Sequence, residues 1–251
     1  MTGLLFVLSL AATAPGLGSR VDLLEVARAI QTTRARIRTL SYSFYRLNEA
    51  SAGAGSRGFF AMDSGGNRRY ESSTNGERIL TLVLKGDATR YEYASKLRSV
   101  TLHARPANGF NTGLLDACYE IRGEKLDSLV AKGTLVEERD DGTLLLESVL
   151  KDGGSAKLTL DRSLGFLCTR WEADGPKDLH VECRTERWER VAGVQLPSLV
   201  NWRSSSLSEA VRRTWSDEYE SIRVNVPAAK WFVLPKIPAG VPILDGRAKR
   251  E

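Results

Sequence analysis

Apolar residues follow two different periods along the chain. They recur with helical spacing near the N-terminus, at Leu23, Val26, Ala27, Ile30 and Ile37. This spacing predicts one amphipathic helix over residues 20–39, with Ser19 as its N-cap. After Leu40 the period falls to two, so the sequence predicts that strands follow the helix.

Short strand-like segments then fill most of the chain. They are separated by turn signals such as Asn75-Gly76 and Asp140-Asp141-Gly142, at the roughly 8–12-residue spacing of sandwiches and barrels. Residues 114–121 and 124–132 interrupt them and predict two short helices. The pattern indicates about ten or eleven strands. It disfavours a doubly wound fold, in which strands alternate with long helices.

Two of the predicted strands are apolar on both faces. Nearly every residue between Arg78 and Lys85 is apolar, and Leu144, Leu145 and Leu146 form a second run. A sheet with one face in water would alternate apolar and polar residues instead. Curving the sheet around the helices would bury both faces of the middle strands and create an apolar hollow. A plain two-layer core without a cavity is the alternative that the pattern leaves open.

The first residues have the form of an export signal. Leu4–Ala12 is an apolar run of signal-peptide length, and Ala12-Thr13-Ala14 resembles a cleavage site. We therefore expect a signal peptide over residues 1–19, the alternative being an N-terminal core helix. No later segment approaches the ~20 apolar residues of a membrane span. The protein is accordingly expected to be periplasmic or otherwise exported.

Composition narrows the class of protein but not its activity. The chain has 251 residues, 42% hydrophobic and 27% charged, and a net charge of +5. These values are ordinary for a globular domain and exclude collagen-like or wholly disordered chains. Arginines alternate with glutamates around residues 182–190, which is typical of a solvated strand face and not of a phosphate track. We predict no nucleic-acid partner.

The three cysteines allow one disulfide. Two strands around a turn at Asp174–Lys177 would place Cys168 opposite Cys183 if Ala173 pairs with Asp178. Directly opposed residues can be close enough for a disulfide. Two small buried apolar side chains are the alternative reading.

Motifs for catalysis are weak. Gly53–Gly58 matches a dinucleotide fingerprint, but the following segment is strand-like where the motif needs a helix. His103 and His180 are far apart and have no metal-ligand spacing. We predict no enzyme activity, no cofactor and no metal. The five tryptophans could form a ligand platform, but packing in the core and at strand edges is the default interpretation, because aromatic residues favour strands.

Four stretches, in this order, resemble the LolA-like periplasmic lipoprotein-carrier superfamily. They are the Gly-Asp turn in residues 84–93, the Asp-x-x-x-Gly turn in 158–166, the strand start in 191–197 and the tail in 232–240. The resemblance implies an α+β fold in which a curved antiparallel sheet, an incomplete β-barrel of about ten or eleven strands, wraps around a long N-terminal helix and short central helices. It also implies a half-barrel domain over 20–226 and a proline-rich tail over 227–251 packed on that domain.

The family's function implies a non-catalytic carrier with a hydrophobic ligand on the concave face. The ligand would be a lipid or the acyl chain of a lipoprotein. An envelope protein-interaction or sensor module with a filled interior is the alternative. The candidate lining residues come from the early strands and the covering helices: Ile30, Phe44, Phe59, Leu80, Leu82, Leu84, Tyr91, Tyr93 and Leu115. An error of one residue in register would move each strand residue to the other face.

Overall fold

The structure, a computed structural model, describes most of the chain. The described residues are 21–48, 55–84, 89–95, 99–103, 113–176, 179–206, 211–233 and 239–245. The expected signal peptide and Ser19 lie outside these ranges, as does the Gly86-Asp87 turn. Within them, no helix is both long enough and apolar enough to cross a membrane.

The N-terminal helix is shorter than the pattern predicts. Helix α1 spans Leu23–Ala35, and Asp22 is its N-cap, with a side-chain oxygen that accepts a hydrogen bond from the Leu24 N–H at 2.8 Å. The helix ends early because Asn225, from the far end of the chain, satisfies the backbone there. The amide of Asn225 donates to the Arg36 carbonyl and accepts from the Arg38 N–H, both at 2.8 Å.

One large antiparallel sheet dominates the remaining structure. Its strands before the central interruption are β1 (Thr39–Asn48), β2 (Ser56–Asp63), β3 (Arg68–Thr74), β4 (Glu77–Leu84), β5 (Thr89–Ala94) and β6 (Ser99–His103). A small hairpin and a helix follow as β7 (Glu120–Ile121), β8 (Glu124–Lys125) and α2 (Leu126–Lys132). The later strands are β9 (Thr134–Glu138), β10 (Thr143–Val149), β11 (Ser155–Asp161), β12 (Leu167–Gly175), β13 (Leu179–Val191), β14 (Val194–Ser206), β15 (Val211–Val224) and β16 (Ile243–Asp245).

The sheet is open and contains more strands than predicted. Within the described residues its 14 strands have the order β16-β6-β5-β4-β3-β2-β1-β15-β14-β13-β12-β11-β10-β9. Strand β1 therefore lies at the centre, between β2 and β15, and two meanders extend from it in opposite directions. Strand β16 is one reason for the higher count. It comes from the tail, which the prolines predict to be irregular, and pairs in parallel with β6.

The central interruption is only partly helical. The predicted helix over 114–121 is wrong: residues 113–119 form turns and then enter β7. The predicted helix over 124–132 begins two residues later, at Leu126, because residues 124–125 form β8. A two-residue turn joins β7 to β8, and both Arg122 (φ 50°) and Gly123 (φ 80°) are left-handed there, as tight hairpin turns require.

The helices cover one face of the sheet, here called the inner face, which carries Tyr42 and Phe60. A continuous apolar core joins α1, residues 113–121 and α2 to this face. Its members include Ile30, Leu115, Leu129, Tyr42, Phe60, Leu144, Leu160 and Val200. The arrangement of covering helices on a curved sheet agrees with the α+β expectation.

The opposite, outer face has a second apolar layer near β4. Leu82, on this face, is 0% exposed, and Val83, which points to the inner face, is also buried. This confirms that β4 is covered on both sides. The chain's tail contributes to the outer cover: the Trp231 ring lies 6.2 Å from the Phe59 ring, and Arg69 donates a hydrogen bond to the Trp231 carbonyl at 3.0 Å.

The register predicted for the cysteines is wrong by three residues. Cys183 pairs with Trp171 and not with Cys168. The reason is that β12 continues to Gly175, opposite Leu179, so two residues assigned to the turn belong to the strand. Cys168 and Cys183, like Cys118, are buried free thiols. Burial raises the pKa of Cys168 to about 12 and keeps all three thiols protonated.

Candidate functional site

The predicted lining residues do not share one surface. Ile30, Phe44 and Leu115 belong to the core on the inner face. Phe60, opposite Tyr42, points to that face, so its neighbour Phe59 points to the outer face.

The same alternation places three more predicted residues on the outer face. Leu80 and Tyr93 lie in the register row of Phe59, and Leu82 is two residues further along β4. Leu84 and Tyr91 are described by their backbone only, with Leu84 opposite Thr89 and Tyr91 opposite Leu82. The role of all nine residues in binding stays a prediction, but those with described side chains divide between two layers.

The inner face instead carries a group of aromatic side chains that crosses the central strands. We call it the aromatic band; it consists of Tyr70, Phe44, Tyr42, Tyr219, Trp215, Trp202 and Trp171. Ring centroids are 5.6 Å apart for Tyr70 and Phe44, 5.1 Å for Tyr42 and Tyr219, 5.9 Å for Trp215 and Trp202, and 5.8 Å for Trp202 and Trp171. These spacings are those of favourable aromatic pairs.

A buried ion pair lies in the middle of the aromatic band. Asp217 on β15 is 0% exposed, and Arg46, directly opposite on β1, donates two hydrogen bonds to its carboxylate at 2.7 and 2.8 Å. Burial acts to lower the pKa of Arg46, but the hydrogen bonds and charge of Asp217 outweigh it and raise that pKa. The guanidinium also lies over the Trp215 ring, 5.6 Å from its centre. The Arg46 guanidinium is thus held between the Asp217 carboxylate and the Trp215 ring.

The aromatic band reaches the surface beside this ion pair, at a part of the inner face here called the Trp215 end. Trp215, Tyr70 and Val181 are only partly buried and pack against the core, and the side chain of Arg46 is 30% exposed. Trp171, further in, donates its indole N–H to the Asp116 carbonyl at 3.0 Å. Access from solvent to the inner face is therefore at the Trp215 and Arg46 end.

Gly58 allows the Phe44 ring to reach Tyr70. It lies opposite Phe44 on β2, and a Cβ atom at this position would lie 2.3 Å from the Phe44 ring and 2.2 Å from the Glu71 carbonyl oxygen. We expect Gly58→Ala to displace the ring and to cost about 1–3 kcal/mol in the free energy of unfolding. Urea unfolding measures this. Gly65→Ala is the control and should cost less, because a Cβ atom there would meet only the side-chain ends of Asp63 and Asn67. Equal costs for the two variants would contradict the close approach of Gly58 to the Phe44 ring.

No acyl-transfer relay is assembled around the histidine with a described side chain. His180 Nδ1 lies 2.7 Å from Asp174 Oδ1, and the Ser155 hydroxyl donates to the other oxygen of the same carboxylate at 3.4 Å. The Asp174 carboxylate therefore lies between the serine and the histidine, whereas an acyl-transfer relay needs the imidazole between the serine and the carboxylate. His103 is described by its backbone only. Among the described side chains, no group of three or more His, Cys, Asp or Glu could hold a metal ion.

An open groove of about 770 Å³ lies along strands β9–β13 on the outer face. Its charges neutralise one another: Arg170 bonds Glu172 at 2.7 Å and Glu182 at 2.8 Å, and Lys157 lies 3.9 Å from Glu147. The groove therefore provides no concentrated charge for a ligand. On the predicted mixed-charge strand, Arg184 lies 3.2 Å from Glu186 and Arg187 lies 2.6 Å from Glu218.

Several solved structures share this architecture. A DUF1329 family protein from Desulfovibrio piger superposes with a TM-score of 0.57 at 13% identity, over 86% of this chain and 98% of that one. A LolA superfamily protein from Nitrosomonas europaea gives 0.52 at 14%, over 83% and 97%. The fold is LolA-like. A putative outer membrane lipoprotein-sorting protein domain from Vibrio parahaemolyticus also matches, with 0.51 at 11% identity, over 82% and 94%. No protein-family model and no curated protein sequence matches the chain.

Sequence reasoning missed the aromatic band of this LolA-like fold, although one signal for it was present. Trp202 and Val200 share a face of a predicted strand, as do Trp215 and Asp217 on the next. Alternation alone, however, does not say which of the two faces is the inner one. The packing of Trp202 and Trp215 with the core beneath the helices supplies that information.

Proposed function

We propose that this protein is an exported, non-catalytic binding protein for a hydrophobic ligand, a lipid or the acyl chain of a lipoprotein, held on the inner face of the sheet. The observation that carries the proposal is the aromatic band, which crosses the inner face of a LolA-like sheet and reaches solvent at Trp215. Aromatic side chains provide large apolar area for such a ligand, and its burial is worth about 25 cal/mol per Å².

Three further observations support this location for the ligand. Superposed structures include a protein described as an outer membrane lipoprotein-sorting domain. The chain's first residues have the form of an export signal. The helices already fill the inner face over β10–β12, where Leu144, Leu158 and Leu160 are buried, so the Trp215 end is the part left for a guest.

A carboxylate introduced at the Trp215 end of the inner face tests the proposal. Val181 is partly buried opposite Ser204, two residues along β14 from Trp202, whereas Val149 is 64% exposed on β10. Titration with an environment-sensitive fluorescent fatty acid should show binding to the wild type. We expect Val181→Glu to weaken it by about tenfold or more, because a carboxylate is costly against an apolar chain.

The same substitution at Val149 is the matched control and should bind as the wild type does. No uptake by the wild type, together with no lipid in native mass spectra of protein purified from its own envelope, would refute the proposal. Equal affinities of the two variants would place the ligand elsewhere on the molecule.

A protein-interaction module is the second candidate, and one observation favours it. The interior beneath α1 and α2 is packed by the protein's own side chains, among them Ile30, Leu115 and Leu129. A module of this kind would bind no fatty acid and would retain a specific envelope protein instead. The titration above therefore separates the two candidates.

A further inference from the structure

Three polar groups on the inner face have no hydrogen-bond partner in the part of the chain that the structure describes. They are the indole N–H groups of Trp202 and Trp215 and the hydroxyl of Thr185, each buried without a partner among the described residues. Trp202 is 3% exposed and Thr185 8%. Buried donors are rarely left unpaired, because desolvation is then uncompensated. An indole can only donate, so the group that complements the two tryptophans is an acceptor.

The three groups lie in two neighbouring rows of the sheet. Trp202 is directly opposite Trp215, and the two rings are nearly parallel, with 7° between their planes. Thr185 lies opposite Val200, which is two residues from Trp202 on the same face of β14. The three groups are therefore neighbours on one face of the sheet.

The charges around these rows favour an uncharged acceptor. Asp217, two residues from Trp215 on the same face, is fully buried, and its charge is balanced by Arg46. An anion placed at the indoles would add a second negative charge beside this carboxylate. Arg213, the other cation on this face of β15, is exposed on the far side of Trp215, where water and salt screen its charge.

We propose that the indole N–H groups of Trp202 and Trp215 bind the carbonyl oxygen of a neutral acyl ester, whose hydrocarbon chain lies along the aromatic band. This rests on the proposed function and specifies the chemistry of its ligand. Arg46 borders this site, because its guanidinium lies over the Trp215 ring and its side chain is partly exposed.

Indole NMR resonances test the proposal in the intact wild-type protein. The five tryptophans give five indole N–H signals, which single Trp→Phe variants assign. Addition of methyl dodecanoate should move the Trp202 and Trp215 signals downfield, since these protons gain a hydrogen bond. The chemical shift of the Trp171 indole signal should not change, because that N–H already donates a hydrogen bond to the Asp116 carbonyl. Dodecane should bind without the downfield shift.

Affinities give the second readout. Trp202→Phe and Trp215→Phe should each weaken methyl dodecanoate by about three- to tenfold and leave dodecane nearly unaffected. Trp231→Phe, the same change on the outer face, is the control and should have no effect. Dodecanoate should bind more weakly than its methyl ester.

Each contrary outcome has a distinct meaning. Methyl dodecanoate binding without movement of the two indole signals overturns the ester site but leaves the proposed function standing. Dodecanoate binding as tightly as the ester, or more tightly, overturns the preference for a neutral acceptor. If neither the ester nor dodecane binds, the ester site and the proposed function both fall.

Discussion

Replacing Arg46 with methionine is expected to lower the free energy of unfolding by about 3–5 kcal/mol. The substitution retains most of the side-chain volume but removes both hydrogen bonds to Asp217, at 2.7 and 2.8 Å. Asp217 is 0% exposed, so its carboxylate would stay buried without a counter-charge. Urea unfolding followed by circular dichroism measures the loss.

A double-mutant cycle separates the charge from the packing. Arg46→Met together with Asp217→Leu removes both charges and should recover most of the loss, because a buried ion pair replaced by apolar residues of similar volume is often neutral. The exposed pair Arg139–Glu137, at 3.1 Å, is the matched control, and Arg139→Met should cost less than about 1 kcal/mol. A cost at Arg46 no greater than at Arg139 would mean that Asp217 is hydrated.

Ending the chain after Val226 is expected to destabilise the β3–β6 half of the sheet by several kcal/mol. The tail's Trp231 packs on Phe59, and β16 covers the edge at β6. Its removal would expose apolar residues of the outer layer near Leu82. Each large apolar side chain returned to water costs about 1.5–3 kcal/mol.

Hydrogen exchange by residue identifies where the truncation acts. Amides of β4 and β6 should exchange faster, whereas those of β10 and β11, far from the tail in the strand order, should not. Binding of a hydrophobic dye should rise in parallel. The single substitution Trp231→Ala in the full chain should accelerate amide exchange in the same strands, but by less than the truncation does. Uniform acceleration over all strands, or none, would show that the tail does not cover this layer.

Several features of the fold followed from local patterns in the chain. The helical spacing before Leu40 and the change of period after it place α1 and the first strand almost correctly. The apolar run through Leu80 and Leu82 correctly indicates a strand covered on both faces. Period, turn residues and overall apolarity are properties of neighbouring residues, so the sequence displays them directly.

Candidate site residues were harder to predict, because their grouping depends on register. Phe44 and Phe59 both look like lining residues, yet they lie on opposite faces of the sheet. The cysteine pairing failed because its register was wrong: β12 continues to Gly175, two residues beyond its predicted end, and Trp171 lies opposite Cys183. With a side-chain period of two, any shift by an odd number of residues reverses the face.

The sequence by itself therefore determined the type of most elements, the order of the first helix and the main strands, and the need for two apolar layers. Only the tertiary structure decided that β1 and β15 meet at the centre, that the tail covers the outer layer, and that Arg46, Asp217, Trp202 and Trp215 lie together on the inner face. Two of these contacts join residues that are distant in the chain: Arg46 and Asp217 are separated by 171 positions, and Arg69 and Trp231 by 162. Such pairings are selected by the packing of the whole sheet, and no local pattern records them.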